Sequence, residues 1–116
     1  MDILEELKNF EVNIDEAMER FMNNKDLYKR MLLKLTPNIE KYPVMSFIEA
    51  GDYETALANA HTLKGVTGNL SLAPLFKGYT DIVALFRANK PEDAKKVLVD
   101  LLPVQEQIVA VIEKYR

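Results

Sequence analysis

The chain has no cysteine and no tryptophan, and His61 is the only histidine among its 116 residues. Without cysteine it forms neither a disulfide nor a thiolate, which suits a reducing compartment. A zinc site uses several cysteine or histidine ligands, so this composition argues against metal binding. The sequence also lacks the Glu-x-x-His pairs of a carboxylate-bridged di-iron bundle.

Long apolar runs and phosphate-binding loops are missing as well. No run approaches the roughly 18 apolar residues that a membrane span needs, and the acidic N-terminal sequence MDILEE is unlike a basic signal peptide. Neither a GxxxxGKS/T nor a GxGxxG motif occurs, so the sequence indicates no ATP site. The net charge of −3 argues against nucleic acid as the main partner. We therefore expect a cytoplasmic protein that binds neither membranes nor nucleic acid.

The chain does have the apolar spacing of helices over most of its length. Hydrophobic residues make up 48% of the composition, enough for one core. They recur every three to four positions, and no segment alternates with period two. The predicted fold class is all-α: an antiparallel four-helix bundle over 25–116 and one or two short N-terminal helices in 1–24. We expect one domain over 1–116, a protein that stands alone because Met1 precedes a full bundle, and a monomer because one core uses most apolar positions.

Three prolines leave the course of two helices open. Pro37 and Pro43 interrupt the helical pattern of 25–50, and Thr36 can cap a new helix with Pro37 at its first position. Pro103 interrupts the last helix in the same way. Because proline lacks an N–H and its ring clashes with the preceding turn, each one either kinks or splits its helix.

The segment from Asp52 to Ser71, DYETALANAHTLKGVTGNLS, predicts a helix over about 53–70 with Gly51 ending the preceding element and Asp52 as its N-cap. At about 100° per residue, one face of this helix is apolar and should meet a core. That face holds Ala56, Ala60, Leu63, Val66, Thr67 and Leu70. His61 falls on the opposite face and should point to solvent, among Leu57, Ala58, Lys64, Gly65 and Gly68.

The two glycines on the His61 face are unfavourable for a helix, at roughly 1 kcal/mol each relative to alanine. Without Cβ atoms, Gly65 and Gly68 would leave a bare surface that another protein can approach closely. We expect Leu57 to be an exposed apolar residue that such a partner covers. Lys64 lies one turn after His61, where its ammonium group can reach an anion carried by the imidazole.

The run AHTLKG at 60–65, followed by Gly68, Asn69 and Leu70, resembles the signature of histidine-containing phosphotransfer (HPt) domains. In that family the helix belongs to a four-helix bundle, and its exposed histidine relays a phosphoryl group between receiver-domain aspartates of response regulators. The resemblance implies that His61 accepts the phosphoryl group and that Lys64 stabilises it. This sequence has Ser71 where the family usually has a further glycine. The residues expected to contact the partner are Leu57, Ala58, Gly65, Gly68, Asn69 and Ser71.

The resemblance implies a phosphoryl carrier in a two-component phosphorelay rather than an enzyme, without autokinase activity. It implies no cofactor held by this chain, since the receiver domain supplies Mg²⁺, and receivers of hybrid histidine kinases are among the candidate partners. The alternative is a helical interaction module that binds a receiver or another signalling partner without being phosphorylated. The pair His61 and Lys64 favours the carrier, and a purely structural bundle leaves Gly65 and Gly68 unexplained.

Overall fold

The computed structural model describes residues 2–116; Met1, with which the predicted domain begins, lies outside them. Within these residues the chain is all-α and contains no strand. The described part is elongated, with principal extents of 41 × 23 × 21 Å. Its helices are α1 (Ile3–Lys8), α2 (Ile14–Arg20), α3 (Lys25–Leu32), α4 (Leu35–Lys41), α5 (Met45–Glu49), α6 (Tyr53–Asn69), α7 (Ala73–Arg87) and α8 (Pro91–Lys114).

Short polar side chains fix where four of these helices begin. Each of them accepts a hydrogen bond at 3.0–3.1 Å from the backbone N–H three residues later, which satisfies one of the free donors of the first turn. The four caps are Asp2, Asn13, Asn24 and Asp52. Gly51 has a φ of +75°, a conformation that favours glycine, and it separates α5 from the cap of α6. The predicted boundary before the histidine helix is therefore confirmed.

The three prolines act differently from one another. The segment 25–50 is split into three helices: α3 ends at Leu32, and Pro43 lies in the connection between α4 and α5. The expectation that Thr36 caps a new helix is wrong, because α4 has Lys34 as its N-cap and Pro37 as its third residue. Pro103 does not split α8, which continues from Pro91 to Lys114. Buried residues on both sides of Pro103, Leu101 and Ile108, hold the two halves of α8 against the core.

Helix α7 packs against both α6 and α8, and α5 also contacts both of these helices. Helix α4 contacts α6, and α1 contacts α8, to which the Glu6–Lys114 ion pair of 2.7 Å also joins it. The predicted apolar face of α6 is buried except for Val66, which is only partly buried at the edge of the core. Because this face meets the other helices, the opposite face of α6 lies at the surface. Among residues 2–116, no helix combines the length and the apolar character needed to cross a membrane.

The C-terminal end of α6 is tied to α3 by a buried hydrogen bond. The Tyr28 hydroxyl donates to the Leu70 carbonyl at 2.8 Å, and Tyr28 is fully buried. Burial also raises the pKa of the Tyr28 phenol, so its hydroxyl stays protonated and remains a donor. This bond satisfies a backbone acceptor just beyond the last turn of α6, where intrahelical partners are missing.

Replacing Tyr28 by phenylalanine should therefore lower the free energy of unfolding by about 1–3 kcal/mol, because the Leu70 carbonyl loses its buried donor. Urea denaturation followed by circular dichroism measures this change. Tyr53→Phe is the matched control: Tyr53 is 43% exposed, and the new ring keeps its contact with Phe86. The control should stay within about 0.5 kcal/mol of the wild type. Equal losses in the two variants would contradict the role given to the Tyr28 bond.

Candidate functional site

His61 lies near the middle of α6, on its exposed face, as the helical projection predicted. Within residues 2–116, its side chain takes part in no hydrogen bond and no ion pair. The burial of Ala60 and Leu63 on the other side of the helix fixes this outward orientation. The imidazole is therefore accessible to a partner molecule.

The surface next to His61 on the following turn is open. Gly65 is exposed, and a Cβ atom built on it would have no contacting atom within 4 Å. Lys64 is half-buried, and its ammonium group forms no ion pair with the described residues. The imidazole thus has a small residue and an unpaired cation one turn away, which leaves room and positive charge for an anionic group.

Gly68 has a different role from the one expected. A Cβ atom on Gly68 would lie 2.8 Å from Cδ1 and 2.9 Å from Cε1 of Phe76, closer than such contacts normally come. The aromatic ring of Phe76, from α7, therefore occupies the space beside this glycine. Gly68 allows α6 and α7 to pack closely. The open surface that was expected at both glycines is therefore present only at Gly65.

Two other predicted contact residues are not available as expected. Ser71 is buried, and its hydroxyl accepts a hydrogen bond from Arg20 Nε at 3.2 Å and donates to Glu16 Oε1 at 3.5 Å. It therefore joins the end of α6 to α2 instead of lying on an open surface. Leu57 is partly buried and packs against the core, because the neighbouring helices reach this side of α6.

The other two predicted contact residues, Ala58 and Asn69, are exposed.

A groove of about 420 Å³ begins one turn after His61 and follows α6 towards its C-terminal end. Five of the residues that the sequence analysis selected line it, and α2 and α7 supply its other wall. His61 itself lies outside this lining. The lining consists of Lys64, Gly65, Gly68, Asn69 and Ser71 together with Glu16, Arg20, Ala73 and Phe76.

Sequence reasoning missed the side chains of this second wall. Arg20 and Glu16 form an exposed ion pair of 3.4 Å, which by itself is typical of any helix surface. Arg20 reaches Ser71 across 51 residues of sequence, and no local pattern indicates such a contact. Phe76 follows the apolar spacing of α7, yet it is 40% exposed and borders the groove.

Among residues 2–116, no three or more His, Asp or Glu side chains are grouped so that they could hold a metal ion. What the site offers is one accessible nitrogen nucleophile with a cation beside it.

The two glycines should respond differently to alanine. Gly65→Ala should raise the free energy of unfolding by about 1 kcal/mol, because alanine favours the helix and its Cβ meets no atom. Gly68→Ala should gain less or lose stability, since the Phe76 ring must move. In a Phe76→Ala background, Gly68→Ala should become as stabilising as Gly65→Ala. Urea unfolding of this double-mutant cycle tests the coupling, and additive effects of the changes at Gly68 and Phe76 would disprove it.

Comparison of the chain with models of known protein families, with curated proteins and with solved structures finds no match. The assignment of a function therefore depends on the residues and the geometry described above.

Proposed function

We propose that this protein is a histidine phosphotransfer protein, which relays a phosphoryl group between receiver-domain aspartates through phospho-His61. The observation that carries the proposal is the unpartnered, exposed His61 on α6, with Lys64 and the open Gly65 one turn away. A histidine that only stabilised the fold would be expected to contact other side chains. An accessible imidazole with a lysine and one open glycine on the next turn suits a group that another protein must reach.

In this proposal, α6, α7 and α8 form an antiparallel four-helix bundle, and the three short helices α3–α5 together take the place of its fourth helix. The contacts of α7 with α6 and α8, and of α5 with the same two helices, support this arrangement. Helices α1 and α2 are the additional N-terminal elements, and α2 provides a wall of the groove beside α6. The protein would act as a cytoplasmic monomer.

The chemical step needs little from this chain. The unprotonated nitrogen of the neutral imidazole attacks the phosphorus of a receiver's aspartyl phosphate, and the family resemblance suggests that this nitrogen is Nε2. A P–N bond forms while the P–O bond to the aspartate breaks, and its electron pair leaves with the carboxylate. The other ring nitrogen keeps its proton throughout. Lys64 offsets part of the negative charge of the phosphoryl oxygens on His61. In the family, Mg²⁺ belongs to the receiver.

The geometry refines the surface on which a receiver would dock. Ala58 and Gly65 are exposed on the two sides of His61, and the groove beyond Gly65 exposes Asn69 and part of Phe76. These residues are the direct contacts in our proposal. Ser71 is not a direct contact in the proposal; its hydroxyl holds the end of α6 to α2 through hydrogen bonds with Arg20 and Glu16.

The direct test is phosphoryl transfer from a radiolabelled, phosphorylated receiver domain in the presence of Mg²⁺. The wild-type protein should acquire a label that is stable to base and lost in acid, as expected for a P–N bond, and His61→Gln should acquire none. Label on both proteins would mean that another residue accepts the phosphoryl group. Binding of a receiver without labelling, for every receiver tried, would instead support the non-phosphorylated interaction module.

A second test addresses docking and does not depend on the nucleophile. Gly65→Gln adds a long side chain beside His61 where the structure has open space, so it should slow phosphoryl transfer by about 10- to 100-fold through misplacement of the partner. Gly65 is a better probe than Gly68, whose substitution also disturbs Phe76. Ala110→Gln, on the exposed face of α8, is the matched control and should transfer normally. Transfer by Gly65→Gln at the wild-type rate would refute docking over this turn.

A further inference from the structure

A second cleft, of about 240 Å³, lies on the side of α6 opposite His61. The connection between α4 and α5 and parts of α6, α7 and α8 form its walls. It reaches the core, because Leu63, Tyr79 and Leu98 line it although each is only 1% exposed. Since His61 points away from this side, the cleft is separate from the groove beside the histidine.

The lining of this cleft is mostly apolar and carries no charged side chain. Val44, Leu98 and Leu102 are among the aliphatic residues that contribute to it. A charged ligand would lose its hydration there without gaining an ion-pair partner, which is unfavourable. An ordered water needs two to four polar partners, so a mostly apolar surface is poorly suited to hold one. The lining thus selects for an uncharged and largely apolar molecule.

Gln105 is the buried amide of this lining, which also includes the exposed Ser46. Gln105 is only 5% exposed, and its Oε1 accepts a hydrogen bond from the Tyr79 hydroxyl. Burial raises the pKa of the Tyr79 phenol to about 12, so the hydroxyl is protonated and acts as the donor. The side-chain NH₂ of Gln105 then has no hydrogen-bond acceptor among residues 2–116. This NH₂ group keeps some accessible surface at the cleft, so an acceptor bound there can take its hydrogen bond.

We propose that this cleft binds a small, uncharged, largely apolar molecule with one hydrogen-bond acceptor, such as a carbonyl oxygen. This oxygen accepts a hydrogen bond from the side-chain NH₂ of Gln105. An apolar cavity of about 150 Å³ is large enough to bind benzene, so the volume here admits a single substituted ring. Tyr79 holds the amide in the orientation that presents its NH₂ group. The proposal does not depend on phosphorylation of His61, because the two sites lie on opposite faces of α6.

Acetophenone and ethylbenzene are matched probes for this site, since they have similar shapes and only acetophenone carries a carbonyl. In NMR titrations of the full chain, both should shift the resonances of residues that line the cleft. Acetophenone should bind roughly fivefold more tightly, as expected for one additional hydrogen bond. Acetophenone should also shift the side-chain NH₂ signal of Gln105 further than ethylbenzene does, because only the carbonyl accepts a hydrogen bond from it. If neither probe binds saturably at millimolar concentrations, the cleft is not a ligand site and the proposal is wrong.

Variants test the volume of the cleft and the Gln105 hydrogen-bond donor separately. The double variant Tyr79→Phe with Gln105→Leu removes the donor without leaving an unpaired hydroxyl, so the two probes should bind with equal affinity. Leu102→Phe fills the cleft and should abolish binding of both probes. Val99→Phe, 51% exposed on the same helix and outside the cleft, is the control and should bind like the wild type. A preference for acetophenone that survives in the double variant would overturn the role of Gln105, even if Leu102→Phe did not fold.

Discussion

Burial of one face of α6 is the constraint on which the rest of the site depends. Ala56, Ala60, Leu63 and Thr67 lie in the core, and with 3.6 residues per turn their burial directs His61 outward. The small alanines let the neighbouring helices approach α6, while Leu63 fills the space that remains. The same packing that stabilises the fold therefore presents the imidazole, and the chain needs no separate device to expose it.

The two glycines of α6 show that one sequence pattern can serve two physical purposes. Gly65 has open space where a Cβ atom would lie, so packing within this chain does not account for it. Gly68 is covered by Phe76, so the packing of α6 on α7 accounts for it. In the proposed phosphotransfer protein, Gly65 gives a receiver access to His61, and Gly68 shapes the groove beyond it.

The end of α6 is held from two directions, by Tyr28 of α3 and by the pair Arg20 and Glu16 of α2. Tyr28 bonds to the Leu70 carbonyl, and the α2 side chains bond to the Ser71 hydroxyl. These contacts give the N-terminal helices a role in the site, because they build one wall of the groove. On the other side of α6, the Tyr79 hydroxyl orients Gln105 by donating a hydrogen bond to it. Buried polar side chains thus help to shape both the groove near His61 and the second cleft.

The sequence by itself determined the features that depend on neighbours within one or two helical turns. These are the helical class, the start of α6 at the Asp52 cap and the outward direction of His61, because capping and the 3.6-residue period are local. Gln105 also follows this period, four residues after Leu101, although a polar side chain conceals the signal. Only the tertiary structure decided that Phe76 covers Gly68, that Ser71 is buried and that Pro43 separates two helices while Pro103 does not. These outcomes depend on contacts between helices, and residues as distant as Arg20 and Ser71 meet only when the whole core forms.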